Sequence, residues 1–155
     1  MNTRLTLRDA TIRDADLLLR WRNDPQTRAA SLRTSEVAEE EHMDWLTSVL
    51  SDVDRELLVA EEDGCPVGTV RADFSDGAWD LSWTVSPSAR GRGVAKRMVA
   101  LLAQRIDESI RAEVRADNRA SARVAEFAGM TLDKEANGIR YYRRGPRARE
   151  DQTRP

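Results

Sequence analysis

The chain has 155 residues and a mass of 17.5 kDa, enough for one domain with a real hydrophobic core. Hydrophobic residues make up 40%, charged residues 34%, and the net charge is −2, which excludes a disordered polyelectrolyte and a strongly basic nucleic-acid binder. A single cysteine, Cys65, and a single histidine, His42, exclude an internal disulfide, a cysteine metal cluster and a histidine-rich metal site.

In chain order, alternation around Leu5 and Leu7 predicts a short strand. Thr11, followed three residues later by Asp14, has capping-box spacing, and 15–22 is apolar enough for a helix that Asn23-Asp24-Pro25 stops. A second helix is predicted from about Ser35, carrying Val37, Met43, Trp45, Leu46, Val49 and Leu50. Strand-like runs 56–61 and 66–74 flank the turn Glu62-Asp63-Gly64, and a third run, 80–85, follows the turn Ser75-Asp76-Gly77. Residues 93–108 show helical spacing in Val94, Met98, Val99, Leu102 and Ile106. Residues 110–116 read as a strand, 118–128 as a helix ended by Gly129, and 130–135 and 140–144 as the last strands. One domain is expected over 1–144 and a disordered Arg- and Pro-rich tail over 145–155. Strands grouped ahead of a strand–helix–strand–helix segment predict a mixed α/β, or α+β, domain. With no signal-peptide-like start and no apolar run near the roughly 18 residues of a membrane span, a soluble cytoplasmic protein is expected.

Charge along the chain is polarised. Residues 36–63 carry eleven acids and one base (Arg55), a local −10, which leaves +8 for the remainder. Residues 86–97 hold Arg90, Arg92, Lys96 and Arg97 with no acid. Such a pattern suits a chain that holds an anion at one place and a cation at another.

The basic island falls in Trp83-Thr84-Val85-Ser86-Pro87-Ser88-Ala89-Arg90-Gly91-Arg92-Gly93-Val94-Ala95, where a strand runs into a glycine-bearing loop that opens a helix. Amides at such a helix start lack internal partners and feel the positive end of the dipole, so they suit a phosphate. Gly91 and Gly93 let the backbone approach a bound group. The pattern is neither the Walker loop nor the dinucleotide glycine fingerprint. Its order, Arg90-x-x-Gly93-x-Ala95 after Val-Ser-Pro, resembles the Arg/Gln-x-x-Gly-x-Gly/Ala signature of the GNAT N-acetyltransferase superfamily. A second block, Glu113-Val114-Arg115-Ala116-Asp117-Asn118-Arg119-Ala120-Ser121 then Gly129-Met130, is similar to the family's strand-Asn-x-x-Ser/Ala-helix-Gly-Phe block, with Met130 in place of the aromatic.

The resemblance implies the GNAT fold: a mostly antiparallel mixed sheet of six or seven strands, splayed in the middle and flanked by about four helices. It implies acetyl-coenzyme A between the splayed strands 80–85 and 110–116, and no metal. The backbone of Trp83, Thr84 and Val85 would hold the pantetheine, and the amides of Arg90, Gly91, Arg92, Gly93, Val94 and Ala95 the pyrophosphate. Asn118 would bond the pantetheine arm or cap its helix, with Ser121 near the sulfur. Amine attack on a thioester needs a base for the ammonium proton and an acid for the thiolate. Glu113 is the candidate base; it matches the acid of a Glu-Val-Arg-x-x-Asn run in ribosomal-protein alanine N-acetyltransferases, and an ion pair with Arg111 or Arg115 is the competing reading. Many relatives carry a tyrosine where this chain has Ala125, so the acid is left to water, Ser121 or one of Tyr141 and Tyr142, of which Tyr142 is the candidate.

Leu19 to Pro25, Arg28 and Glu41 to Leu46 resemble the acceptor-side block of a GNAT subgroup containing ribosomal-protein serine/alanine acetyltransferase-like enzymes and amino-sugar-nucleotide acetyltransferases. Trp21, Trp45 and Leu46 read as core, whereas Asn23, Arg28 and His42 are polar candidates for the pocket wall. Arg28 and Arg71 would suit a diphosphate, and the acids of 39–44 a cationic amine. The acidic stretch is expected beside the acceptor cleft, away from the cofactor. The function expected is N-acetylation of a small-molecule primary amine, an amino sugar or its nucleotide first, by a monomer or homodimer with no nucleic-acid or membrane partner. A protein N-terminal acetyltransferase stands second, and a non-catalytic acyl-coenzyme A-binding module third.

Overall fold

A computed structural model describes residues 4–147. The elements are β1 (Leu5–Asp9), α1 (Ala15–Asn23), α2 (Pro25–Ala30), α3 (Glu39–Leu50), β2 (Arg55–Glu62), β3 (Cys65–Ser75), β4 (Ala78–Val85), α4 (Val94–Arg105), β5 (Ser109–Arg115), α5 (Arg119–Phe127), β6 (Thr131–Ala136) and β7 (Ile139–Arg144). Short 3-10 turns precede α1 and lead toward α4. The strands form one seven-stranded sheet in the order β1-β2-β3-β4-β5-β7-β6. Every neighbouring pair is antiparallel except β4 and β5, which are parallel. The expected fold class and strand number hold, with five helices among the described residues in place of about four.

Local chemistry explains the element ends. Thr11 caps the turn before α1 reciprocally with Asp14, whose carboxylate also takes two bonds from Arg8, at 2.9 and 2.8 Å. Asp24 ends α1 as expected, but its side chain then accepts from the Thr27 amide and starts α2, where Pro25 needs no amide partner. The third helix begins at Glu39, four residues later than expected from about Ser35. Asn23 clamps the preceding loop, donating to the Val37 carbonyl and accepting from its amide, both at 2.8 Å. Glu39, Glu40 and Glu41 then lie in the first turn of α3, where negative charge opposes the helix dipole.

Two cores lie on opposite faces of the sheet. Val94, Met98, Val99 and Leu102 of α4 and Ala122, Val124 and Ala125 of α5 pack on Leu58, Val70, Leu81, Ile110, Ala112, Val114 and Tyr142. On the other face Leu18 and Trp21 of α1 and Leu46 and Val49 of α3 cover only Leu57 and Val59 of β2. Beyond β2, α3 reaches that face where Trp45 lies over Arg71 of β3 and α1 approaches β4, and neither helix is seen to cover it from β5 to β6. Arg144 returns from β7 to the C-terminal end of α4, donating to the carbonyls of Ala103, Ile106 and Glu108. Of the expected tail, Arg147 still bonds the Asp107 and Gln104 carbonyls, and 148–155 lie outside the described residues.

Gly68 on β3 is required by space. A Cβ there would stand 2.9 Å from Met98 Sδ and 3.0 Å from the Thr84 carbonyl oxygen, and Met98 is wholly buried. Gly68→Ala is expected to lower unfolding free energy by about 1–3 kcal/mol; a denaturation midpoint equal to wild type would show that α4 is not held so closely.

Candidate functional site

The site is built where β4 and β5 part. They pair at Ala78↔Ser109, Trp79↔Ile110 and Asp80↔Arg111 and no further. An ion pair sits at the fork: Arg111 donates to both carboxylate oxygens of Asp80 at 3.0 Å, and to the Ser75 carbonyl. Beyond it each strand keeps its outer partner, β3 for β4 and β7 for β5. The two-residue turn Asp76-Gly77 (φ 51° and 78°) makes Ser75 and Ala78 a hydrogen-bonded pair. By alternation Ser82 and Thr84 spend their backbone groups on β3, while Leu81, Trp83 and Val85 turn theirs toward β5. The same alternation, counted from the Ala116 amide on the Gly138 carbonyl, turns the backbone of Glu113 and Arg115 into the gap. Thr84, expected to hold a ligand with its backbone, is therefore corrected: its amide and carbonyl serve the β3 ladder.

At the open end of the gap lies the glycine loop. Gly91 and Gly93 have φ of +79° and +71°, and a Cβ on either would meet no protein atom within 4 Å. Gly93 opens α4 with no side-chain cap, so the first-turn amides of Val94, Ala95 and Lys96 keep their donors toward that open space. The flanking cations are partly spent. Arg90 reaches Asp24, Gln26 and Thr27 of α2, which holds the Asp24 carboxyl below the usual range. Arg92 and Arg97 approach the Glu62 carboxylate at 3.5 Å, and Glu62 is 6% exposed. The acidic stretch thus reaches the loop through its penultimate acid, contrary to the expectation that it lies only on the acceptor side. Parity decides this, since Glu62 falls on the β2 face of Leu58 and Ala60, beneath α4.

Glu113 projects from the uncovered face, two residues beyond the fork, and is exposed. Neither arginine pairs with it: Arg111 is held by Asp80, and Arg115 by Asp117 and the Ala29 carbonyl. Directly across on β7 is Tyr141, at a non-hydrogen-bonded position where facing side chains come closest. Tyr142, the expected acid, is 2% exposed and lies opposite Ala112 in the core beneath α4 and α5. Alternation puts one tyrosine on each face, and the one facing Glu113 is Tyr141. Asn118 accepts the Ser121 amide as a helix cap and donates to the Ala30 carbonyl, so half-buried Ser121 lies in the first turn of α5.

Two acceptor-side expectations are corrected. His42 is 4% exposed, with its Nε2 3.1 Å from the Ala15 carbonyl oxygen, because helical period places it between α3 and α1. Asn23 spends its side-chain amide on Val37. Arg28 donates to the Asn23 carbonyl, and Arg71 lies on the uncovered face beside Asp73 and over the Trp45 ring. Asp24 and Glu62 were missed, and Tyr142 was preferred to Tyr141; of the missed pair only Asp24 had a local signal, an Asp-Pro pair that suits a helix start.

An unpaired strand edge, open space at two glycines and an uncapped helix start form a continuous cradle. It fits the extended amide-bearing arm and pyrophosphate of coenzyme A. Among the described residues no three metal-binding side chains converge and no helix is long and apolar enough to cross a membrane.

The model of the acetyltransferase (GNAT) domain family matches residues 4–131. Spermidine N-acetyltransferase from Vibrio cholerae, solved with coenzyme A and spermine, is 14% identical, with a TM-score of 0.79 over 92% of this chain and 94% of that one. An aminoglycoside acetyltransferase solved with coenzyme A and kanamycin is 19% identical, with a TM-score of 0.76 over 92% and 95%. A phosphinothricin acetyltransferase from Sinorhizobium meliloti, solved with acetyl-coenzyme A, is 20% identical, with a TM-score of 0.78 over 97% and 92%. No curated protein matches the chain closely enough in sequence to count as a relative.

Two measurements check this geometry. Gly93→Ala forces an alanine to φ +71°, straining the loop by about 1–2 kcal/mol, and puts a methyl in the cradle; coenzyme A affinity should fall about tenfold or more with the circular dichroism unchanged. Burial holds the His42 imidazole below its usual value of 6.5, so the unfolded chain takes up the proton first. Stability should fall with pH below about 6.5, and His42→Gln should flatten that limb of the stability–pH curve.

Proposed function

The chain belongs to the GNAT acetyltransferase domain family, acetyl-coenzyme A-dependent N-acetyltransferases, and on that premise we propose that it acetylates a primary amine of a small molecule, an amino sugar or nucleotide-linked amino sugar. The observation that carries the reading is the parted pair β4 and β5, with an unpaired Glu113 on the uncovered face just beyond the fork. When bound, acetyl-coenzyme A supplies an acyl carbon already activated by a thiol leaving group. The inward backbone groups of Trp83 and Val85 bind its arm as an added strand, and the amides from Gly91 to Ala95 bind its pyrophosphate. Arg90 serves by fixing α2 to the loop rather than by touching phosphate.

Glu113 takes the ammonium proton from the acceptor, directly or through a water, and leaves the amine neutral for attack. Tyr141 holds a phenolic proton on the same face for the departing thiolate, a role that buried Tyr142 and Ala125 do not fill. An amine of a small molecule suits the uncovered face between α1, α2 and the strands, where Arg71, Ser82 and Glu113 line one surface. The kanamycin complex of the aminoglycoside relative supports an amino sugar as a class this fold accommodates. The reading includes a cytoplasmic enzyme, monomeric or homodimeric, with no nucleic-acid or membrane partner. A protein N-terminal acetyltransferase is the second reading, favoured by the Glu113-Val114-Arg115 run.

An amine panel with acetyl-coenzyme A, read by thiol release, tests the assignment: turnover of amino sugars but not peptides supports it, and turnover of peptides alone selects the second reading. Glu113→Gln should lower kcat/KM by roughly 10²–10⁴ with coenzyme A affinity unchanged, which a binding module would not show. Tyr141→Phe should lower kcat about tenfold or more, whereas Tyr142→Phe should leave kcat unaltered and lower the Tm.

A further inference from the structure

Every cation of the basic island has a partner within the chain. Arg90 reaches Asp24, Gln26 and Thr27, and the Lys96 ammonium lies 5.9 Å from the centre of the Phe127 ring. Arg92 and Arg97 share one oxygen of Glu62, each at 3.5 Å. Glu62 is the more buried of the two acids involved: its side chain is 5% exposed, against 19% for Asp24. Asp24 also caps α2, whereas acetyl transfer leaves Glu62 without a role.

Stability alone does not ask for a carboxylate there. Glu62 ends β2 on the face of Leu58 and Ala60, beneath α4, where an apolar side chain would continue the core. A buried carboxylate is costly even when paired, and an apolar replacement is often as stable. What the charge does control is the start of α4. Arg92 precedes Gly93, and Arg97 lies one turn further, its amide on the Gly93 carbonyl at 3.1 Å. Glu62 thus holds two guanidiniums at the loop whose uncapped amides form the phosphate cradle. Their side chains are 52% and 36% exposed, so both have room to turn to an anion once the carboxylate is removed.

We propose that Glu62 is a built-in counter-anion that sets the affinity for coenzyme A, holding it below what the basic loop would otherwise reach so that the thiol product leaves. This goes beyond the acetyl-transfer reading and rests on the cofactor's pyrophosphate lying at the glycine loop. Glu62 repels the phosphates and withholds Arg92 and Arg97 from them. Acetyl-coenzyme A and coenzyme A carry the same phosphates, so both are weakened by the same factor. Such uniform weakening leaves the acyl-transfer step untouched, raises KM and speeds departure of the product. The opposite role, a strut aiming the two arginines at phosphate, predicts the opposite sign when the charge is removed.

The test is a calorimetric titration of the full chain with coenzyme A, which needs no turnover. Glu62→Gln keeps the shape and removes the charge, and it should tighten binding about threefold or more. Adding Arg97→Gln brings the cluster of Glu62, Arg92 and Arg97 back to its wild-type net charge, and should return the affinity toward the wild-type value. Binding unchanged or weaker in folded Glu62→Gln overturns the proposal. Should that variant fail to fold, Arg97→Gln alone, at a partly exposed position, should weaken binding about threefold; unchanged or tighter binding then overturns it. In turnover, Glu62→Gln should lower the KM for acetyl-coenzyme A and the inhibition constant of coenzyme A by the same factor, with kcat no higher. A fall in only one of the two overturns the uniform effect. Gly93→Ala separates this inference from the cofactor assignment. If it weakens coenzyme A binding while Glu62→Gln fails to tighten it, only the counter-anion falls; if it changes nothing, the glycine loop is not the pyrophosphate site and both fall.

Discussion

The whole arrangement depends on a ladder that stops early. Parallel β4 and β5 share three register positions and then diverge, although each remains fully paired on its outer side. Backbone groups facing the gap cannot be satisfied by either strand, and interior polar groups without partners are costly. A sheet that closed here would be more stable and would have no place for an extended ligand. Arg111 and Asp80 stand at the fork, with Arg111 also holding the Ser75 carbonyl at the base of the β3–β4 turn. This pins where the parting begins, and so places Ser82 and Glu113, each two residues further, across the gap from one another.

Around that gap, short helix α2 links the two diverging sides. Its N-terminal end is held by Arg90 of the glycine loop beyond β4, and its C-terminal carbonyls by Arg115 and Asn118 beyond β5. The signature arginine is therefore spent on α2, through Asp24, Gln26 and Thr27. Partly exposed pairs of this kind stabilise little one by one; their value lies in fixing which elements meet. Glu62 has a comparable effect beneath α4, where it offsets Arg92 and Arg97. What remains for an anion at the glycine loop is chiefly backbone amide and helix dipole, a geometry that discriminates by shape rather than by net charge.

The two faces of the sheet divide the labour. Helices α4 and α5 seal one face with aliphatic side chains and bury Tyr142 among them. Helices α1 and α3 pack chiefly on the β1–β2 end of the other, with His42 buried between them and its imidazole held below its usual range. The uncovered remainder carries alternating charged and polar residues, among them Arg71, Asp80, Ser82, Arg111, Glu113 and Tyr141. Single-residue alternation along β7 is enough to make one of two adjacent tyrosines structural and the other a surface group.

Much of this molecule follows from local rules in its sequence. Strand alternation, the Thr11–Asp14 cap, the Asp76-Gly77 turn and the glycine-bearing loop each act over a few residues, so the element order apart from α2 and the place of the loop that opens α4 were legible. The Asn118 cap was equally readable, because its bond to the Ser121 amide spans three residues. Partners distant in the chain were not legible. Arg90 meets Asp24 across 66 positions and Asn118 meets Ala30 across 88, and no spacing rule operates at such separations. The facing of Glu113 by Tyr141 rather than Tyr142, the burial of His42 and the stacking of Arg71 on Trp45 depend on which face each element turns to its neighbours. Only packing in three dimensions settles that, because burial and charge act through space, while periodicity constrains one element at a time.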